Sequence, residues 1–146
     1  MKIALASDHA GYDLKMYVKA YLEAKGYDIN DLGVHDKERS DYPVFGHKAG
    51  KEVANGNSDL AIIFCGTGVG ISIAANKVKG ARCCCCSEPY SARMSRLHNN
   101  CNILAMGGRV VGEELALMIV DEFLAAEFEG GRHGDRVKLL DELDEY

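Results

Sequence analysis

Apolar residues along the chain fall into two alternating rhythms. Short apolar runs at residues 2–6, 27–33, 59–64, 81–86 and 102–106 read as strands, and each is followed by a stretch of helical character. Residues 11–25 repeat apolar side chains at Leu14, Val18 and Leu22 until Gly26 stops them; a second helix starts at Pro43, runs through Val44, Ala49 and Val53, and breaks at Asn55-Gly56-Asn57. A third helix follows the glycine-rich stretch 66–70, a fourth covers 88–97 and a long amphipathic one covers 111–127. Gly130-Gly131 resets the chain for a last, charged helix from about Arg132. Short strands alternating with helices pair in parallel through right-handed crossovers. The pattern therefore predicts an α/β fold: a doubly wound, Rossmann-like three-layer sandwich with a five-stranded parallel sheet and a C-terminal helix. With no internal repeat, low-complexity segment or linker, residues 1–146 read as a single domain.

Charge and composition narrow the partners. The formal net charge is −5, and no basic stripe is present to displace counterions from nucleic-acid phosphates. No apolar run is long enough to span a bilayer, and Ser7-Asp8-His9 interrupts the N-terminus before any secretory h-region forms. The expectation is a soluble cytoplasmic protein with no nucleic-acid or membrane partner. Four of the six cysteines are consecutive, Cys83 to Cys86, and neighbours on a strand point to opposite faces, which argues against a disulfide framework. Cys83 and Cys86 match C-x-x-C, yet no second pair accompanies them, so they read as small buried hydrophobes before metal or redox groups.

In a doubly wound sheet, ligands bind beyond the carboxyl ends of the strands. That rule gathers Asp8, His9, the stretch Cys65 to Gly70, Ser87 and Gly107 to Arg109 on one rim. Gly66, Gly68 and Gly70 let main-chain N–H groups converge beside the N-terminus of the following helix, a place that stabilises negative charge, a thiolate at Cys65 included. A dinucleotide fingerprint would need glycine at Ile71, and a phosphate loop would need Gly-Lys at Ile71-Ser72, so both nucleotide motifs fail. Cys65 is then a nucleophile or a base taking a proton from carbon. Asp8 suits a helix N-cap as well as a site. His98, at a helix C-terminus, is an acid candidate or only a favourable end charge. Arg132 and Arg136 lie four apart, a like-charge pair that a phosphate would bridge, unless the acidic tail or a second subunit neutralises it.

Read together, Asp8-His9-Ala10-Gly11, Asp41-Tyr42-Pro43, the stretch from Cys65 to Lys77, Ser87-Glu88-Pro89-Tyr90-Ser91-Ala92, His98-Asn99 and Glu129-Gly130-Gly131-Arg132-His133 closely resemble type B ribose-5-phosphate isomerases. The likeness covers essentially the whole chain. It implies a metal-free and cofactor-free isomerisation between ribose 5-phosphate and ribulose 5-phosphate through a cis-enediolate, in the pentose phosphate pathway. By that resemblance Cys65 is the base, and N–H groups of Gly66, Gly68, Val69 and Gly70 hold the enediolate oxygen. His98 and Thr67, with Asp8 as a further candidate, open the furanose ring. Asn99 and Tyr42 contact the sugar, and His9, Arg109, Arg132 and Arg136 take the phosphate. The resemblance also implies a homodimer or homotetramer with sites at the dimer interface. Galactose-6-phosphate and allose-6-phosphate isomerases are similar, so a six-carbon substrate is an alternative, as is a noncatalytic phosphosugar-binding domain. The run Cys83 to Cys86 departs from the aliphatic strand that the resemblance leads one to expect.

Overall fold

The structure, a computed structural model, describes residues 1–143. In chain order the elements are β1 (Lys2–Ser7), α1 (Tyr12–Ala24), β2 (Asp28–Asp31), α2 (Tyr42–Ala54), β3 (Leu60–Cys65), α3 (Val69–Asn76), β4 (Cys83–Cys85), α4 (Pro89–Asn99), β5 (Ile103–Gly107), α5 (Glu113–Ala125) and α6 (Arg132–Asp141). All strand pairings are parallel, in the order β2-β1-β3-β5-β4. The doubly wound sheet read from the pattern is present. Two strands are shorter than their apolar runs: β2 keeps four residues and β4 three, because each lies at a sheet edge and pairs on one side only.

Alternation along the central strands divides the core. Ile3, Leu5, Leu60, Ile62, Phe64, Leu104 and Met106 face α1, α4 and α5, packing on Leu14, Val18, Leu22, Ala92, Ile119 and Phe123. Ala4, Ala6, Ala61, Ile63, Cys65, Ile103 and Ala105 face the other way, toward Ala49 and Val53 of α2 and Ile71 and Ala75 of α3. Small side chains on this second face let α2 and α3 lie close. A Cβ on Gly46 of α2 would come within 2.5 Å of the Ile71 carbonyl oxygen. Cys65 thus points into the tighter layer, at the carboxyl end of the central strand. α6 packs outside this frame, on α4.

Helical spacing gave no reason to bury Lys15, yet it is wholly enclosed. Its Nζ donates to Asp31 Oδ1 at 2.7 Å and to the Val34 carbonyl at 2.6 Å, tying α1 to the end of β2. Asp31 Oδ1 also accepts from Gly33 N–H, and Oδ2 from Lys19. Burial drives the Lys15 pKa down. Burial also works to raise that of Asp31, but bonds from Lys15, Gly33 and Lys19 outweigh it and hold the carboxyl below its usual value.

A carboxyl lowered by folding contributes stability above its unfolded pKa of about 4 and loses it as pH falls through the lower folded value. Asp31→Ala, which leaves a buried ammonium unpaired, is expected to cost about 3–5 kcal/mol at neutral pH. In urea melts across a pH series, the gap between wild type and variant should narrow below about pH 4, where the wild-type carboxyl takes up its proton.

Candidate active site

β3 ends on Cys65, which is 4% exposed, and the chain leaves the sheet through Gly66, Thr67 and Gly68. Gly68 carries φ +81°, a left-handed conformation that side chains strain, and so turns the backbone into α3. The turn brings Gly68 N–H to 3.1 Å from Cys65 Sγ, a bond into the thiol from its own loop. β5 supports the turn from beneath, with Gly108 N–H donating to the Cys65 carbonyl at 2.8 Å and Arg109 N–H to that of Gly66 at 3.0 Å. There is no slack. A Cβ at Gly107 would lie 2.6 Å from Thr67 C, and one at Gly68 would lie 2.8 Å from Met106 C and 2.9 Å from Cys85 Sγ. Thr67 Oγ1 accepts from Val69 N–H at 3.3 Å, capping the first turn of α3, whose axis points its positive end at the thiol's loop.

Asp8, His9, Tyr42 and Arg109 stand around that loop. Asp8 is buried, and its Oδ1 accepts from Ala10 N–H at 2.9 Å and Gly11 N–H at 3.0 Å, which closes the turn before α1; the N-cap of that helix is Gly11, not Asp8. His9 is not simply solvated. Its N–H donates to Ser40 Oγ at 3.0 Å, and its Nδ1 accepts from Ser40 N–H at 3.2 Å, which leaves Nε2 outward. Ser40 lies in a polar loop without a motif, and no sequence signal singled it out. Tyr42 opens α2 and lays its ring over α3, 2.7 Å from where a Cβ on Gly70 would sit. The Arg109 side chain lies along Gly66.

His98, Asn99, Arg132 and Arg136 are not brought to this rim. α4 starts beyond the carboxyl end of β4 and runs back to the amino end of β5, so its last residues, His98 and Asn99, lie at the opposite rim, about 16 Å of helix away. α5 returns the same way, and α6 begins beside α4, where Glu129 N–H donates to the Leu97 carbonyl and His133 stacks on His98 with ring centroids 4.1 Å apart. Glu129 Oε2 sits 3.9 Å from His98 Nε2 and 3.6 Å from His133 Nε2. Burial, His98 and Arg132 push the His133 pKa down, and Glu129 opposes them. The ligand atoms of this trio lie within 4.8 Å, the one such group among the described residues. Its rings are within 6° of parallel, so their lone pairs run side by side and do not converge on an ion. Asp141 pairs with Arg82 at 3.2 Å, so that residue of the acidic tail is engaged elsewhere; Asp144 and Glu145 fall outside the described residues. Among the described residues Arg109, Arg132 and Arg136 have no ion-pair partner. On one rim of the chain a thiol thus lies in a turn of main-chain donors, and on the other two stacked imidazoles lie beside guanidinium groups that have no ion-pair partner among the described residues.

The profile of the Ribose/Galactose Isomerase family matches residues 3–140. The chain belongs to that family. Ribose-5-phosphate isomerase B of Escherichia coli is 51% identical over 144 residues, covering 99% of this chain and 97% of its own. Among solved structures of the family, ribose-5-phosphate isomerase B of Clostridium thermocellum superposes with a TM-score of 0.98 at 53% identity, covering 99% of this chain and 98% of that one. Ribose-5-phosphate isomerase B of Mycoplasma genitalium, with bound ribulose-5-phosphate, does so with a TM-score of 0.93 at 38% identity over 99% and 96% of the two chains. In an enzyme of the Ribose/Galactose Isomerase family, the wedge between β3, β5 and α3 makes loop geometry testable. Gly68→Ala strains φ and presses on Met106, which displaces the N–H donors. Steady-state kinetics should show kcat lowered about 100-fold or more with the native circular dichroism retained.

Proposed function

We propose that the chain interconverts ribose 5-phosphate and ribulose 5-phosphate through a cis-enediolate, with Cys65 as the base that carries a proton between C2 and C1. The observation that carries this reading is the buried thiol at the end of β3, bonded by Gly68 N–H and ringed by the donors of its own turn. A base must stand within hydrogen-bond reach of its proton while fixed dipoles await the developing oxyanion. Gly66, Gly68, Val69 and Gly70 offer those dipoles. Ring opening falls to His98 and Thr67, with Asp8 as a further candidate, and the phosphate to His9, Arg109, Arg132 and Arg136. Asn99 and Tyr42 bind the sugar. No metal enters the reaction.

The two rims of one chain are farther apart than one five-carbon sugar phosphate reaches. A two-fold axis across the strands sets the Cys65 rim of one copy against the His98 and Arg132 rim of another, completing two identical sites. A dimer of this kind also covers the apolar surface beside the thiol, where Val44, Val69 and Ile73 are 61%, 52% and 54% exposed on α2 and α3. Such dimers can pair further into tetramers. No helix among the described residues is long and apolar enough to cross a membrane. Six unpaired cysteines suit a reducing cytoplasm.

Purified protein should convert ribose 5-phosphate to ribulose 5-phosphate in the presence of EDTA, with solvent deuterium entering at C1 or C2. Cys65→Ala should retain ligand affinity and lose turnover. Full activity in that variant overturns the base, and calorimetric binding without turnover or exchange supports a binding domain instead. Comparing kcat/KM on ribose, allose and galactose phosphates separates the pentose reading from the hexose one.

A further inference from the structure

A histidine side chain turns about two bonds, so His9 offers a defined edge to a ligand only where a neighbour fixes it. The main-chain N–H groups of the turn from Asp8 to Gly11 are all engaged. Asp8 N–H donates to the Phe64 carbonyl at 3.2 Å, and Ala10 and Gly11 donate to the Asp8 carboxylate. His9 alone of the four donates to a side chain from a remote segment, Ser40 Oγ at 3.0 Å. Ser40 N–H returns the bond, donating to His9 Nδ1 at 3.2 Å. One residue thus holds both the backbone and the ring of His9.

The segment that carries Ser40 follows the sheet only at its start. There Leu32 N–H donates to the Leu5 carbonyl, and Gly33 and Val34 exchange bonds with Ser7 at 2.8 and 2.9 Å. His35 to Arg39 are exposed, and the ion pair of Lys37 with Asp13 stands in solvent, where it contributes little. The chain regains the body of the protein at the half-buried Ser40. Two residues later Tyr42 opens α2 and lays its ring against Gly70. The contact at Ser40 therefore sets His9 in place relative to the ring that covers the thiol's loop.

The donor decides where the imidazole proton sits. A backbone N–H can only donate, so Nδ1 carries the lone pair and the ring proton is on Nε2. Nε2 then presents a donor, which a phosphate oxygen accepts; a flipped ring or the other tautomer would offer a C–H or a lone pair there. We propose that Ser40 is the positioning residue for His9, holding the imidazole in the form whose Nε2–H binds the substrate's phosphate. The proposal rests on the reading of His9 as a phosphate ligand.

Nitrogen NMR on protein made with isotope-labelled histidine tests the grip without any turnover, the His9 signals being identified by their loss in His9→Asn. At about pH 8, above the ordinary histidine range, wild-type His9 should carry its proton on Nε2 alone, and Ser40→Ala should move it toward the averaged mixture of a free imidazole. In kinetics on ribose 5-phosphate, Ser40→Ala should raise KM and the inhibition constant of inorganic phosphate about fivefold to tenfold, with kcat within about twofold, and Ser40→Thr should restore both. A residue that acts through His9 has nothing left to lose without it, so in a His9→Ala background the same change should add less than about twofold. A proton on Nδ1 of wild-type His9, an unchanged KM in Ser40→Ala, or losses that multiply in the double variant overturns the proposal. Phosphate inhibition unchanged in His9→Ala also overturns it, through the phosphate role of His9, with the spectrum showing whether the grip itself is intact.

Discussion

The rest of the site depends on one constraint, the left-handed turn at Gly68 that presses the loop after β3 onto the end of β5. That turn points Gly68 N–H at Cys65 Sγ and sets the first donors of α3 around the same space. It is held by two main-chain bonds from Gly108 and Arg109, and by contacts so close that neither Gly68 nor Gly107 has room for a Cβ. The thiol is thereby positioned by backbone, with Gly68 N–H bonded to its sulfur. The alanine-rich layer beneath α2 and α3 serves the same end, since it lets α3 approach closely enough for its N-terminus to reach the strand end.

A second consequence comes from the winding of the chain. Parallel strands force every crossover helix to run back toward the amino rim. A chemical group at the start of such a helix is near the strand ends, and one at its last turn is a sheet's length away. His98 and Asn99 take the second position because they close α4, and α6 adds Arg132 and Arg136 there. The fold thus holds Cys65 apart from His98, Arg132 and Arg136 within one chain, and the proposed symmetric pair of chains would bring them together.

Much of this was legible in the residues. Apolar runs and glycine stops placed every strand and helix, and the rule for ligands in doubly wound sheets placed Asp8, His9, Cys65 to Gly70 and Arg109 on one rim. Spacing says nothing about which end of the sheet a residue occupies once its helix has turned back, so the remoteness of His98 and Arg132 became visible only with the topology. Lys15 escaped because a helical repeat marks apolar positions and carries no record of a carboxylate sixteen residues on. Ser40 escaped because its grip on His9 is built by a loop, where no period applies. The four-cysteine run reads as small buried hydrophobes, yet of the four only Cys86 is buried, because β4 lies at the sheet edge.

The central claim is that each site joins the Cys65 rim of one chain to the His98 rim of another, and mixing two inactive variants tests it directly. Cys65→Ala and His98→Asn are each expected to be inactive alone on ribose 5-phosphate. Refolded together in equal amounts, they should regain about a quarter of wild-type activity, since half the dimers are mixed and each mixed dimer holds one intact site. No recovery in a mixture shown to contain mixed dimers would contradict the account, because both groups would then have to act within the same chain.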